Sequence, residues 1–112
     1  MKKKYRIKKY SEIDAIFKTR NGVGDRFFVI YQGESEENNF RFALTIGKKY
    51  GNAVKRNLIK RQIRMVIYEI HHLIKHTQFV IVIKPLASTL SFQEIKQKII
   101  KLMKKGNLMK DE

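Results

Sequence analysis

The stretch that most limits how this chain can fold is Phe79–Ile83, FVIVI, five apolar residues in a row with no polar face. A strand with one solvated side alternates between apolar and polar positions. An unbroken β-branched and aromatic run is instead the pattern of a strand covered on both faces. Pro85 stops the run, because proline has no N–H to give a ladder. With 112 residues, the chain is expected to form one domain, 1–112, with a modest core.

Helical patterns supply the cover. Over Ala53–Lys75, the residues Ile59, Ile63, Val66, Ile67, Ile70, Leu73 and Ile74 fall within an arc of roughly 120°, the width of a core-facing stripe. A last helix is expected over Phe92–Lys105. Ser91 and Glu94 form a capping box before it, Leu90 and Ile95 a staple, and Gly106 ends it. Its inward residues are Ile95, Ile99, Leu102 and Met103. A short first helix, Glu12–Thr19, has Ser11 as N-cap and Asp14 at the capping-box position, with Ile13, Ile16 and Phe17 on one face and Asn21-Gly22 at its end. Strands are expected at Phe27–Tyr31 and Phe40–Ile46, joined as a hairpin by the polar turn Gly33–Asn39. The second strand has an apolar face of Phe40, Phe42, Leu44 and Ile46. Its other face, Arg41, Ala43 and Thr45, is small and polar: either plain solvent-facing surface or room for a ligand lying across the sheet. The fold class is α+β, a sandwich with a mixed sheet. Residues 1–9 read as a mobile basic arm with little to bury, and residues 107–112 as a frayed tail.

Charge narrows the partners. Twenty-five Lys and Arg against ten Asp and Glu leave +15, an excess that favours phosphate-rich partners through counterion release. It is concentrated. Gly47–Arg64 holds seven basic residues, and no carboxylate occurs between Glu37 and Glu69. Arg56, Lys60 and Arg64 stack along one flank of the long helix, where like charges repel by a few tenths of a kcal/mol per pair and the first-half macrodipole disfavours cations. A helix carrying both penalties is expected to meet an anion. Nucleic acid is the leading class. A stand-alone or ribosome-associated RNA binder and a membrane-surface or nucleoid-binding protein stay open beside it. No apolar run approaches the roughly 20 residues of a membrane span, and there is no cysteine, so a cytoplasmic protein is expected. No catalytic constellation is legible. His71, His72 and His76 lack a matching carboxylate, and the acids are scattered.

The run KKYGNAVKRNLIKRQIR resembles the RNR motif of the bacterial ribonuclease P protein subunit: Lys48-Lys49, Gly51-Asn52-Ala53-Val54, Arg56-Asn57, Ile59-Lys60-Arg61 and Ile63-Arg64 stand at that spacing. Leu58 departs from it, standing where a second Arg is usual. Arg6-Ile7-Lys8, Phe17-Lys18, Phe28–Tyr31 and Phe79–Ile83 with Lys84-Pro85 extend the likeness to nearly the whole chain. The resemblance implies a compact α-β sandwich, helix, three strands, helix, strand, helix, with a left-handed βαβ crossover. It implies a protein partner of the catalytic ribonuclease P RNA, an endoribonuclease that hydrolyses the 5′ leader from precursor tRNA, with Mg²⁺ held mainly by the RNA and no catalytic or metal-binding protein side chain. Carried over by position, Lys48, Lys49, Asn52, Lys55, Arg56, Asn57, Lys60, Arg61 and Arg64 would dock on the RNA subunit. In the opposite part of the domain, Ile13, Phe17 and Tyr31 would line a cleft for the single-stranded leader, joined through strand alternation by Phe27, Val29, Arg41, Ala43 and Thr45. No membrane partner is implied, and a weak homo-oligomer is left open.

Overall fold

A computed structural model describes residues 3–35 and 37–110. In it α1 (Tyr10–Lys18), β1 (Gly22–Gly24), β2 (Phe28–Glu34), β3 (Arg41–Ile46), α2 (Ala53–Ile70), β4 (Thr77–Ile83) and α3 (Phe92–Lys105) follow one another, with 3-10 turns between them. This is an α+β fold of three helices and a four-stranded mixed sheet. The sheet order is β1-β2-β4-β3, antiparallel except for the β3–β4 pair.

The FVIVI strand is an interior strand, as its pattern demands. Phe79, Ile81 and Ile83 join Phe28, Ile30 and Phe42 under α2 and α3, in one core with Ile59, Ile63, Ile67, Ile95, Ile99 and Met103. Val80 points the other way and is buried with Ile7 and Ile16 beneath α1. The interior position of β4 corrects one expectation: β2 and β3 do not form a hairpin, because β4 is inserted between them and pairs with both.

Local rules account for most helix boundaries. Ser91 Oγ accepts from the Glu94 N–H and Glu94 Oε1 from the Ser91 N–H, completing the capping box of α3. Asn52 Oδ1 accepts the Lys55 N–H at 3.0 Å and caps α2. Just before it, Gly51 has φ of 154°, a backbone angle that favours glycine. α2 is shorter than its apolar period suggested. It gives way after Ile70 to a 3-10 turn over His71–Leu73, yet Ile74 remains buried. α1 starts at Tyr10 without a side-chain cap, so Ser11 is inside the helix, and Asp14 pairs with Lys18 at 3.1 Å. Arg20, with φ of 55°, takes the left-handed turn expected of Asn21-Gly22. Gly22 instead opens the short strand β1.

Both ends of the described chain are seated. Tyr5 stacks on Phe40 at 4.7 Å, Arg6 bridges to Phe42, and Ile7 is buried, so this part of the arm has more to bury than its composition suggested. Leu108 and Met109 are buried too. Met109 bridges to Ile74, and the Lys75 N–H donates to the Leu108 carbonyl. The expected fraying of residues 107–112 is thus not seen for Leu108 and Met109; residues 1, 2, 111 and 112 lie outside the described part.

Candidate nucleic-acid interface

α2 carries its cations beside the core stripe. Lys48 and Lys49 stand exposed on the 3-10 turn that precedes the helix, and Lys55, Asn57 and Arg61 are exposed on α2 itself. Arg56, Lys60 and Arg64 are half-buried along the flank, and the Arg56 Nε is buried with no hydrogen-bond partner among the described residues. Asn52 is exposed at the N-cap with its side-chain oxygen already engaged. The ion pairs among the described residues are Lys18–Asp14, Arg41–Glu12 and Lys96–Glu69. None of them neutralises this line. Burial, and then the charge of nearby Arg6, pulls the Arg64 guanidinium below its usual value; an arginine keeps its charge even so.

On the other side of the sheet, strand register arranges three rows of side chains. Ala43, Val80 and Tyr31 are partners in the middle row, Thr45, Val82 and Val29 in a second, and Arg41, Gln78 and Gly33 in the third. α1 covers the middle row. Ile13, Phe17, Tyr31 and Ala43 pack around Val80 and Ile16 there, with Phe17 edge-on to Tyr31 at 5.3 Å and 84°. The Thr45–Val82–Val29 row stays half-buried. Next to it a hollow of about 540 Å³ is lined by Phe17, Arg20, Gly22, Gly24, Val29 and Tyr31. Gly22 and Gly24 make its outer wall a bare ledge. A Cβ on either would come within 2.9 Å of Tyr31 Cδ1 or Val29 Cγ2, so these side chains can lie flat only because β1 has none there.

The third row is different. Arg41 Nη2 is 2.9 Å from Glu12 Oε2, in a hollow of about 360 Å³ that also takes in Glu34, Glu37 and Gln78. Arg41 is therefore held by a carboxylate at an acidic end of the face.

The structure thus brings together Ile13, Phe17, Tyr31 and Ala43, with Val29 and Thr45 beside them. It sets Arg41 apart and removes Phe27. β2 begins one residue later than expected, so alternation does not reach Phe27. Its ring packs on the α3 side of the sheet, with Lys98 Nζ 4.9 Å from its centroid. Three contributors were missed in the sequence. Arg20 and Arg6 are cations at the two ends of the open face, and Val82 lies in its floor. A basic residue just after a helix end was a usable signal for Arg20. Val82 was hidden because an unbroken apolar run does not reveal which residue escapes cover.

The two surfaces also meet rather than lying in opposite parts of the domain. A hollow of about 420 Å³ at the β3 edge is lined by Arg6, Lys8, Ile13, Ala43 and Leu44 together with Arg64 of α2. A cation of α2 and the apolar side chains of Ile13 and Ala43 share it. Among the described residues, no three His, Asp or Glu side chains converge to hold a metal ion, and no helix is long and apolar enough to cross a membrane.

Comparison with known proteins identifies the family. The family model described as Ribonuclease P matches residues 1–107. The ribonuclease P protein component of Phytoplasma australiense is 46% identical over 111 residues, covering 97% of this chain and 96% of that protein. The same component of Acholeplasma laidlawii is 41% identical over 113 residues, covering 100% and 97%. Among solved structures, a Staphylococcus aureus RNase P protein mutant with defective mRNA degradation activity superposes with a TM-score of 0.91 at 31% identity, covering 95% of this chain and 91% of that one. The RNase P protein of Thermotoga maritima, at 22% identity and a TM-score of 0.82 over 89% and 96%, shares the fold. With the family model matched over residues 1–107 and a 46% identical relative covered almost end to end, the chain belongs to the ribonuclease P protein family.

Proposed function

We propose that this chain is the protein subunit of a ribonuclease P endoribonuclease and acts in the cytoplasm on precursor tRNA. The basic flank of α2, with Lys48 and Lys49, docks on the catalytic RNA. The single-stranded 5′ leader lies across the open row Thr45–Val82–Val29, against Phe17 and Tyr31. The observation that carries this reading is the hollow at the β3 edge, where Arg64 of the docking helix and Ile13 and Ala43 of the cleft are neighbours. Docking the helix therefore aims the cleft.

The energetics follow from the residue types. Stacking of unpaired bases on an aromatic ring contributes about 1–3 kcal/mol per base with little sequence dependence. Only a substrate that still has its leader obtains it. Arg20 and Arg6 sit where phosphates enter and leave the open row. Glu12, Glu34 and Glu37 repel phosphate at the far end of the face and so bound the leader's path. Mg²⁺ held by the RNA supplies the hydrolytic chemistry; the protein's cations reduce the amount needed to hold the complex together.

The test is reconstitution. The chain is mixed with a bacterial ribonuclease P RNA at low Mg²⁺ and cleavage of precursor tRNA is followed. Restored cleavage over RNA alone is expected. No restoration, with RNA binding intact, sinks the subunit reading in favour of a stand-alone RNA binder.

A further inference from the structure

The face of α2 turned away from the core is not polar. Val54 is 77% exposed, Leu58 45%, Met65 51% and Tyr68 63%. With about 100° per residue, these positions and Arg61 lie within about 40° of one line, on the side opposite Ile59, Ile63 and Ile67. Single exposed apolar residues are ordinary, but a lined-up set marks a surface that is covered when the protein works.

The line ends in an ordered pair of rings. Tyr68 stacks on His71 with centroids 5.4 Å apart and planes 20° from parallel. His71 Nδ1–H donates to the Tyr68 carbonyl at 2.6 Å, which fixes the imidazole against the end of the helix. His72 meets His71 edge-on at 5.7 Å and 79°. Two nearly parallel rings, Tyr68 largely exposed and His71 half-buried behind it, held before any ligand arrives, match a flat aromatic partner.

We propose that this stripe, from Val54 to the Tyr68–His71 rings, is a base-stacking seat for unpaired nucleotides of the catalytic RNA, an extension of the docking surface beyond its phosphate contacts. The inference rests on the docking of α2 proposed above. Charge selects RNA as the occupant. Arg61 stands in the middle of the stripe, and Lys55 and Arg64 flank it on either side at about 80–100° round the helix. A second copy of the chain would press two such uncompensated cation lines together, whereas a nucleic acid brings phosphates to the cations and bases to the apolar side chains.

The two kinds of contact differ in salt dependence, which makes the seat testable. Affinity of the full chain for a bacterial ribonuclease P RNA is measured over a range of monovalent salt for wild type, Tyr68→Ala, Tyr68→Phe and Arg61→Ala. Loss of a stacking ring is expected to weaken binding about tenfold with the salt slope unchanged, and Tyr68→Phe, which keeps the ring, is expected to restore it. Arg61→Ala is expected to lower the slope by about one. If Arg61→Ala behaves so while Tyr68→Ala binds like wild type, the stacking seat is refuted and docking of α2 stands. If neither variant changes affinity, the docking itself is refuted. Sedimentation of the free proteins completes the set: Tyr68→Ala altering self-association instead of RNA binding overturns the seat in favour of a contact between copies. Tyr68 is exposed, so truncation leaves the core intact, and a thermal melt of each variant verifies it.

Discussion

Glu12→Gln is expected to improve substrate binding. Arg41 and Glu12 are 2.9 Å apart, with side chains 20% and 33% exposed. At that distance two unit charges attract by about 1.4 kcal/mol at the dielectric of water, and several-fold more inside a protein. Partial exposure and the entropy of holding two long side chains bring the net value to about 1 kcal/mol. In the free protein this pair keeps Arg41 from any phosphate. Removing the carboxylate charge releases it, and a leader long enough to reach the third row gains one contact worth a similar amount. Precursor affinity should therefore rise about fivefold, with the salt slope steeper by about one. Mature tRNA, lacking a leader, is the control for the added net charge and should change little. The cost is a melting temperature lower by about 4 °C. Arg41→Ala alone should change precursor affinity less than twofold, because the guanidinium is already engaged, and should abolish the gain in the double variant. The assay is direct binding of precursor and mature tRNA to the reconstituted holoenzyme at several salt concentrations. A large loss from Arg41→Ala in the wild-type background would refute the sequestration, and so would equal gains for both ligands from Glu12→Gln.

Other expectations follow from the same geometry. Arg64→Ala should weaken binding to the RNA subunit and reduce its salt slope by about one; because Arg64 also borders the cleft, precursor discrimination should fall with it, as paired titrations with precursor and mature tRNA will read. Phe17→Ala should weaken precursor binding by about 1–3 kcal/mol and leave mature tRNA unaffected; equal loss for both would remove Phe17 from the cleft. Ser91→Ala should cost about 1 kcal/mol of stability through the lost cap, measured by chemical denaturation. Glu94 gives that stability a pH dependence. The Ser91 backbone N–H, then its hydroxyl and the Lys98 charge, hold the Glu94 carboxyl below the ordinary 4.5. A depressed folded value means that the contribution is complete above the unfolded value and is lost as pH falls through the folded one. Glu94→Gln should accordingly differ from wild type near neutrality and converge with it in acid.

The elements that sequence reasoning reads well are those whose signals are local or strongly periodic. The capping box at Ser91 and Glu94, the inward stripe of α2 up to Ile70, and the two-sided cover of β4 are such cases. What it misreads is decided by partners distant in sequence. Nothing between Phe28 and Ile46 reveals that β4 will separate β2 from β3; neighbours in sequence usually pair, and the hairpin expectation followed that habit. Asn21-Gly22 reads as a helix stop, and Gly22 becomes part of a strand through pairing of Gly22–Gly24 with Val29–Tyr31, where a Cβ on either glycine would press on Tyr31 or Val29. The site divides the same way. The cations proposed to dock stand in one linear motif, which sequence displays directly. The proposed cleft draws on α1, β1, β2, β3 and β4; alternation puts Val29, Ala43 and Thr45 on that face of the sheet, but it also groups Phe27 with them, whose ring packs toward α3, and it cannot foresee Glu12 against Arg41. The stripe from Val54 to Tyr68 is masked in sequence by the basic residues interleaved with it.

The sheet order has a consequence for the birth of the molecule. As the chain leaves the ribosome, β1 and β2 can pair at once, but β3 has no strand beside it until β4 has been made, since Arg41 is matched with Gln78 and Ile46 with Ile83. α2 emerges in between, with its core stripe of Ile59, Ile63 and Ile67 still lacking the strands it packs on. Closure of the sheet is therefore a late, long-range event, of the kind that makes mixed topologies fold more slowly than helical bundles. Until it happens the nascent protein is a strongly positive, partly apolar chain in a compartment crowded with RNA. The segment that completes the sheet is also the most apolar strand of the protein, and its inner face is covered only once α3 has followed it with Ile95, Ile99 and Met103.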